Sequence, residues 1–580
     1  METKNVFKLP IEYNTHKNVD KDIITNLDLL NPQDDNMPIS HYMFKPQTSL
    51  GELMLPKISQ FFTTNTKYLK DTQALLKKIN PDIFNKEQTF SLRLFNDSWN
   101  ELRKETSFCE KYLYLDWEPI KFMNNNSQFL QIMSIYNLSS PLLSLLLPIL
   151  LLIIPFIIIK LKGLPLNINE YINILKEIAS NHALVKVFTN LEQVDNTHKI
   201  HSLLSVVFYI FSIYQSTLHS IRFYSNLNKI QEFFKCCFAF TNKTLEQMKW
   251  FSDNASMKTY KSFMIDVNKN KEKLQYIHNR LEKLSSFSIS FNTLYDLGEH
   301  LQLFYEINND QSIQECIDYS LSFWGYLDNM CGLKTNLGEK KMNFCKFTKS
   351  KKNMSITSQF YPLFIQKTST TNSSSLCNNM IITGPNASGK TTFLKTTLIN
   401  LILAQTFGCG CFEKATIRPF DFFHCYLNIP DTSGRDSLFQ AEARRCKEII
   451  DSVNTHNKNS HFCIIDELYS GTNPDEATES ACSFMKYLSK KNNIVVFLTT
   501  HYIKVCTKLE NNPNIKNFHM KTTQTKDNIK FLYTLESGIS SIKGGKFILN
   551  SMNYPKEIIE SSSSPSLYKN KDSSDRELSC

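Results

Sequence analysis

The chain has 580 residues, a formal net charge of +10 and a pI near 8.7. That length exceeds one ordinary hydrophobic core and calls for about two to four domains, which excludes a small single-domain enzyme. The charge, spread this thinly, is a mild bias toward nucleic acid or anionic lipid and decides neither. Fifteen cysteines lie without paired C-x-x-C spacing, so reduced, buried thiols are expected and a zinc site is not.

The first twenty residues carry Glu2, Lys4, Lys8, Glu12, Lys17 and Asp20 and no apolar run, so neither a secretory signal nor a transit peptide is expected there. Residues 1–137 are mixed, with helical windows such as Lys67–Lys78, and carry no chemical motif. The character then changes. Leu138–Ile159 reads LSSPLLSLLLPILLLIIPFIII, 22 residues without a charge, which is the length a helix needs to cross a hydrocarbon layer of about 30 Å. Pro141, Pro148 and Pro155 within it suggest a kinked span or a re-entrant wedge, and a buried core helix is the competing reading. Lys160 and Lys162 follow at once, which places the carboxy-terminal side in the cytosol. A shorter apolar stretch, Leu203–Tyr214, either returns the chain across the membrane or is a helix of a bundle.

Residues 160–354 read as a helical core or lever, with apolar residues three and four apart in windows such as Lys271–Leu284. Seven lysines lie between Lys334 and Lys352 with Phe344 and Phe347 among them. They read as a solvated linker in preference to a DNA-facing patch.

Residues 355–560 contain the chemistry. Asn378–Thr383 is a short strand pattern that runs into Gly384-Pro385-Asn386-Ala387-Ser388-Gly389-Lys390-Thr391-Thr392 and then a helix-compatible run to about Gln405. Strand, glycine loop and helix in that order make a phosphate cradle. Backbone N–H groups wrap the anion, the helix amino terminus favours it, Lys390 reaches the β- and γ-phosphates and Thr391 ligates Mg²⁺. A second apolar strand, His461–Asp466, ends in two carboxylates: Asp466 suits the Mg²⁺ shell and Glu467 suits activation of a water. A third, Ile494–Thr500, leads into His501, a candidate γ-phosphate contact.

These segments resemble the carboxy-terminal ATPase domain of the MutS family. TGPNASGKTT matches its TGPN-x-x-GK-[ST]-T loop, IIDELYSGTNPDEA resembles its DE-x-x-x-GT segment, and TTHY its histidine loop. The carboxylate segment looks closest to the family's second branch, in which GT is followed by an acidic or amide residue and proline. Asp431–Glu442 keeps the signature spacing of Ser437, Phe439 and Glu442. Tyr533, Leu535, Gly538, Gly545 and Pro555 fall in register with the family tail, with Lys543 and Met552-Asn553-Tyr554 as departures.

The resemblance, over residues 355–560, implies an α/β ABC-type P-loop ATPase domain at the carboxy terminus; the residue pattern before it gives a mainly helical region with a candidate transmembrane segment. It implies ATP and Mg²⁺ as cofactors, Glu467, Lys390 and His501 as catalytic residues, and Thr391 and Asp466 on the metal. It further implies a homodimer in which Ser437 reaches the partner's γ-phosphate, with double-stranded DNA as the ligand of the arms. No amino-terminal F-x-E mismatch-reading motif is evident, since Phe412-Glu413 has the wrong spacing, and Ser561–Cys580 reads as a disordered tail. The expectation is a MutS-like ATPase anchored to a membrane. A membrane-tethered ATPase with an organising or remodelling role and no mismatch recognition is the alternative.

Overall fold

The computed structural model describes residues 6–32, 37–163, 169–173, 176, 196–284, 295–365, 370–427, 437–524, 529–540, 552, 554–555 and 557–558. The segment from Asp431 to Asp436, Lys543, Gly545, Asn553 and the tail from Ser561 lie outside the described residues. Contacts divide the chain into two compact units. One comprises Met1–Val6, Lys86–Phe251 and Val267–Leu321, the other Phe7–Asn85, Ser252–Asp266 and Ser322–Cys580.

The first unit is helical. Helix α1 (Ser127–Leu161) begins at Asn126, whose side chain accepts from the Phe129 N–H at 3.0 Å. It runs as one helix through Pro141, Pro148 and Pro155, each of which forfeits one helical hydrogen bond. The stretch Leu203–Tyr214, too short by itself to span, is one part of the 59-residue helix α2 (Asn196–Asn254). Helix α3 (Leu297–Asn309) starts against α1 through Gly298, where a Cβ would lie 2.0 Å from the Ser127 carbonyl oxygen. The core here is aromatic: Phe95 stacks on Phe240 at 4.1 Å, and Phe304 packs edge-on against Phe233 and Phe234.

The second unit is built on a six-stranded sheet: β1 (Asn379–Thr383), β2 (Phe422–Tyr426), β3 (His461–Asp466), β4 (Ile494–Thr499), β5 (Ile515–Gln524) and β6 (Ile529–Ser537), in the spatial order β6-β5-β1-β4-β3-β2. Strands β1 to β5 are mutually parallel and β6 pairs antiparallel with β5. The central parallel strands β1, β3 and β4 are almost uninterrupted apolar runs, as strands covered on both faces require. Helices α4 (Lys390–Phe407), α5 (Leu438–Thr455) and α6 (Pro474–Ser489) connect them. A smaller five-stranded sheet includes Asn343–Phe347. Part of the lysine-rich segment read as a solvated linker is therefore a paired strand.

Residues 7–85, to which the sequence assigns no role, pack on helix α4. Gln405 donates to the Thr63 and Phe420 carbonyls, Thr406 to that of Phe61, and Lys395 pairs with Asp28 at 2.7 Å. Helix α4 is consequently buried from Phe393 to Phe407 except at Lys395, which removes the amphipathic stripe a surface helix would show.

Candidate nucleotide site

The loop from Gly384 to Gly389 connects the carboxy-terminal end of β1 to the amino terminus of α4. In open parallel sheets ligands settle at that end of the strands. Gly389 sits at φ +94°, where a side chain would be strained, and a Cβ there would crowd the Tyr533 ring at 3.2 Å. Lys390 is the first residue of α4. Its side chain is 4% exposed and its Nζ donates to the carbonyl oxygens of Gly384 at 3.1 Å and Pro385 at 3.2 Å. Burial pushes the ammonium below its usual range, against the pull of Glu467 and Asp466.

Strands β3 and β4 deliver the remaining groups. Asp466 lies in register with Thr499 and accepts from its hydroxyl, while its other oxygen accepts from the Thr391 hydroxyl at 2.7 Å. Glu467, just past β3, has φ +51°, a left-handed conformation that a non-glycine residue keeps only when its surroundings impose it. Its backbone N–H donates to the Thr499 carbonyl at 3.1 Å. Its Oε1 lies 2.5 Å from His501 Nε2 and 3.8 Å from Lys390 Nζ. The His501 hydrogen bond, more than the charges nearby, holds the Glu467 carboxyl below the usual carboxylate range. An ionised carboxylate only accepts, so Nε2 carries the proton, and the 3.5 Å approach of Lys390 Nζ to the same nitrogen is a contact without a hydrogen bond.

Of these residues Gly389, Lys390, Thr391 and Glu467 line a cavity of about 720 Å³ that also takes in Asn386, Ala387, Ser388, Thr392, Tyr361, Phe364, Met520 and Tyr533. A nucleotide fits this donor set. Ser388 Oγ is buried with no hydrogen-bond partner, the buried ammonium donates to two carbonyls with only the more distant Glu467 as a charge partner, and a threonine hydroxyl and a carboxylate stand side by side where a divalent ion would need oxygen ligands.

Ser437 is the exposed N-cap of α5. It accepts from the Gln440 N–H at 3.3 Å and its own N–H donates to Gln440 Oε1 at 2.9 Å. Five residues on, Glu442 is 2% exposed and accepts from Ser470 N, Ser470 Oγ and Gly471 N at 2.9 to 3.3 Å. The start of α5 is thereby tied to the loop that follows Glu467. Sequence spacing marked Glu442 without revealing this duty. Thr499 and Tyr361 were missed altogether: Thr499 reads as an ordinary strand end, and Tyr361 stands in no motif. In the tail, the Tyr533 carbonyl accepts from Asn372 Nδ2 at 2.9 Å and the Gly538 N–H donates to Asn517 O at 3.0 Å, so that segment closes the β6 edge beside the cavity.

The parallel sheet, the glycine loop and the paired carboxylates define an ATPase-type α/β domain. The family model for MutS domain V matches residues 380–567. Over 207 residues the chain is 28% identical to the DNA mismatch repair protein MutS of Persephonella marina, covering 35% of this chain and 23% of that protein. It is 31% identical to the MutS of Halothermothrix orenii over 31% of the chain and 20% of the relative, and 30% identical to the DNA mismatch repair protein MSH3 of Meyerozyma guilliermondii over 31% and 19%. Residues 380–567 are a MutS-family carboxy-terminal ATPase domain. The chain spans about a fifth of the length of these curated relatives.

Proposed function

We propose that the protein is a MutS-type ATPase of the ABC, P-loop class that binds and hydrolyses ATP with Mg²⁺ as a homodimer and couples the cycle to double-stranded DNA. The observation that carries this reading is the meeting of Lys390, Thr391 and Glu467 in one cavity, with Asp466 bonded to Thr391 and His501 bonded to Glu467 just behind them. Mg²⁺ held by Thr391 and Asp466 would neutralise phosphate charge. Lys390 exchanges its carbonyl partners for the β- and γ-phosphates, while backbone N–H groups from Gly384 to Thr392 hold the phosphates in place. Glu467 takes the proton of the attacking water, and His501 aims Glu467 and touches the γ-phosphate. Ser437, exposed at the start of an 18-residue helix, is available to a partner's γ-phosphate. DNA and mismatch repair come to this chain from the names of its relatives.

A specific observation favours a membrane anchor as well. Helices α1 and α2 run antiparallel with polar contacts along their seam: Ser144 meets Ser216 at 2.9 Å, Ser140 meets Ser220 at 3.2 Å, and Asn137 meets His219 at 3.3 Å. Their apolar groups face out. Leu142, Leu143, Leu145 and Leu146 are all exposed, as are Leu203, Val207, Phe208, Ile210 and Phe211. A soluble helix pair buries its leucines and solvates its serines; a pair in lipid does the reverse. Both helices are long and apolar enough to cross a bilayer. On this reading the ATPase domain stands on the cytosolic face, and a tethered ATPase that organises or remodels material at the membrane without reading mismatches is the second reading.

The test uses the full chain and a version lacking Leu138–Ile159, each with and without Lys390→Ala. Flotation with liposomes and ATPase rate with matched, mismatched and branched duplexes are measured. DNA that neither binds nor changes the rate in either nucleotide state removes the DNA reading. An intact chain that stays soluble without detergent removes the anchor.

A further inference from the structure

At the amino-terminal ends of the parallel strands, the end remote from the nucleotide loop, lies a second cavity of about 220 Å³. Asn379, Ile494 and Asn514 line its floor at the starts of β1, β4 and β5. Three cations line it, Lys351, Arg418 and Lys491, and no carboxylate does. Lys351 Nζ donates to the Asn492 carbonyl, which fixes it at the rim and leaves two of its N–H groups free. Arg418 is half-buried and, among the described residues, makes no hydrogen bond or ion pair, so its five donors are unspent. Lys349, Lys352 and Lys490, adjoining these residues in sequence, are all exposed.

Like charges are not gathered in a half-enclosed site without cause, because each raises the cost of the next. One part of the cause is local: Lys490 and Lys491 follow the carboxy terminus of α6, whose dipole amounts to roughly half a negative charge. That half charge answers at most one lysine and leaves Lys351 and Arg418 uncompensated. An unpaired planar guanidinium beside an ammonium is the donor set that a tetrahedral oxyanion satisfies, the guanidinium by two parallel hydrogen bonds.

We propose that this cavity, built from Arg418, Lys351 and Lys491, is a phosphate-binding site on the face of the ATPase domain away from the nucleotide. Its ligand is a phosphoryl group, supplied by a nucleic-acid backbone or by free phosphate. The nucleic-acid source rests on the DNA reading above, and the free-phosphate source does not. The lysine-rich segment ending at Lys352 then has a use: it brings Lys351 to a strand-end pocket with further positive charge alongside.

The experiment compares the full chain with the Arg418→Gln, Lys351→Gln double variant, neither residue belonging to the nucleotide site. Anisotropy of a labelled duplex is followed over a salt series, calorimetry is run with inorganic phosphate, and DNA-free ATPase activity serves as the check on folding. The backbone source predicts that the double variant lowers the log affinity against log salt slope by about 0.9, the share of the one lost phosphate contact, at unchanged basal ATPase activity. An unchanged slope together with loss of the inorganic-phosphate heat supports the site with free phosphate as its source and leaves the DNA reading standing. If the wild type does not bind DNA at all, that reading fails separately and the phosphate heat decides this one. Slope and heat both unchanged overturn the proposal. Should the double variant lose ATPase activity, the single Lys351→Gln change carries the same readout, with a smaller fall in slope and in phosphate heat.

Discussion

The nucleotide site and the α1–α2 hairpin solve opposite problems with opposite arrangements. At the nucleotide site, apolar strands bury one another and present polar groups only where they end, so Lys390, Asp466 and Glu467 meet at the rim of a dry core. In the hairpin, serines and Asn137 face each other and the leucines face outward. The first arrangement needs water at one edge. The second exposes apolar side chains from Leu142 to Leu146 and from Leu203 to Phe211, a kind of surface that soluble proteins limit. On the proposed reading, one chain contains a site organised for solvent and a hairpin organised for lipid.

Mutations can break this contrast, beginning where the effect is largest. Lys390→Ala removes the charge that faces the phosphates and is expected to lower turnover by about 10²–10³-fold, as loss of a preorganised donor does, with thermal stability nearly unchanged; steady-state phosphate release checks it. On the hairpin, Leu142→Arg and Phe208→Arg should each oppose insertion by about 2.5–3.5 kcal/mol and shift the chain from floating to non-floating liposome fractions. Were the hairpin a water-exposed arm, the same changes would be neutral and would improve solubility.

Smaller effects sharpen the picture. Glu442→Ala leaves the Ser470 and Gly471 donors without a carboxylate and is expected to cost about 1–3 kcal/mol in denaturant unfolding, with turnover falling because Glu467 shares that loop. Ser216→Ala, which removes one contact of the hairpin seam, should cost only about 0.6 kcal/mol in detergent or bilayer. The pH dependence follows from a histidine pair. His424 Nε2 and His461 Nδ1 lie 3.0 Å apart and share one proton, and burial, with His461 and Arg445 adding to it, pushes His424 down to about 3. The unfolded chain therefore binds the proton first. Stability is complete above about pH 6.5 and is lost as pH falls toward 3, a trend that His424→Gln should flatten in thermal melts at stepped pH.

Much of the nucleotide site was legible because its chemistry is local. A loop that must wrap phosphate needs glycines at fixed offsets, and carboxylates at the end of an apolar strand announce themselves. Residues supplied by pairing were not legible: Thr499 reaches Asp466 only through the β3–β4 register, and Tyr361 reaches the cavity from outside the six-stranded sheet. The cover that residues 7–85 provide for helix α4 was hidden for the same reason, since Thr63 and Gln405 meet across more than 300 positions. The apolar run at Leu138–Ile159 was plain, but its inside-out pairing with α2 depends on which way Ser140 and Ser216 point, and composition does not carry direction.

The most direct measurement is Mg²⁺-dependent ATP hydrolysis by the full chain, against protein concentration, for the wild type and Glu467→Gln, with nucleotide binding followed in parallel. The account predicts turnover per chain that rises with concentration as dimers form, and a Glu467→Gln variant that still binds ATP and hardly hydrolyses it. Hydrolysis that survives Glu467→Gln, or a wild-type chain that does not bind ATP, would contradict it.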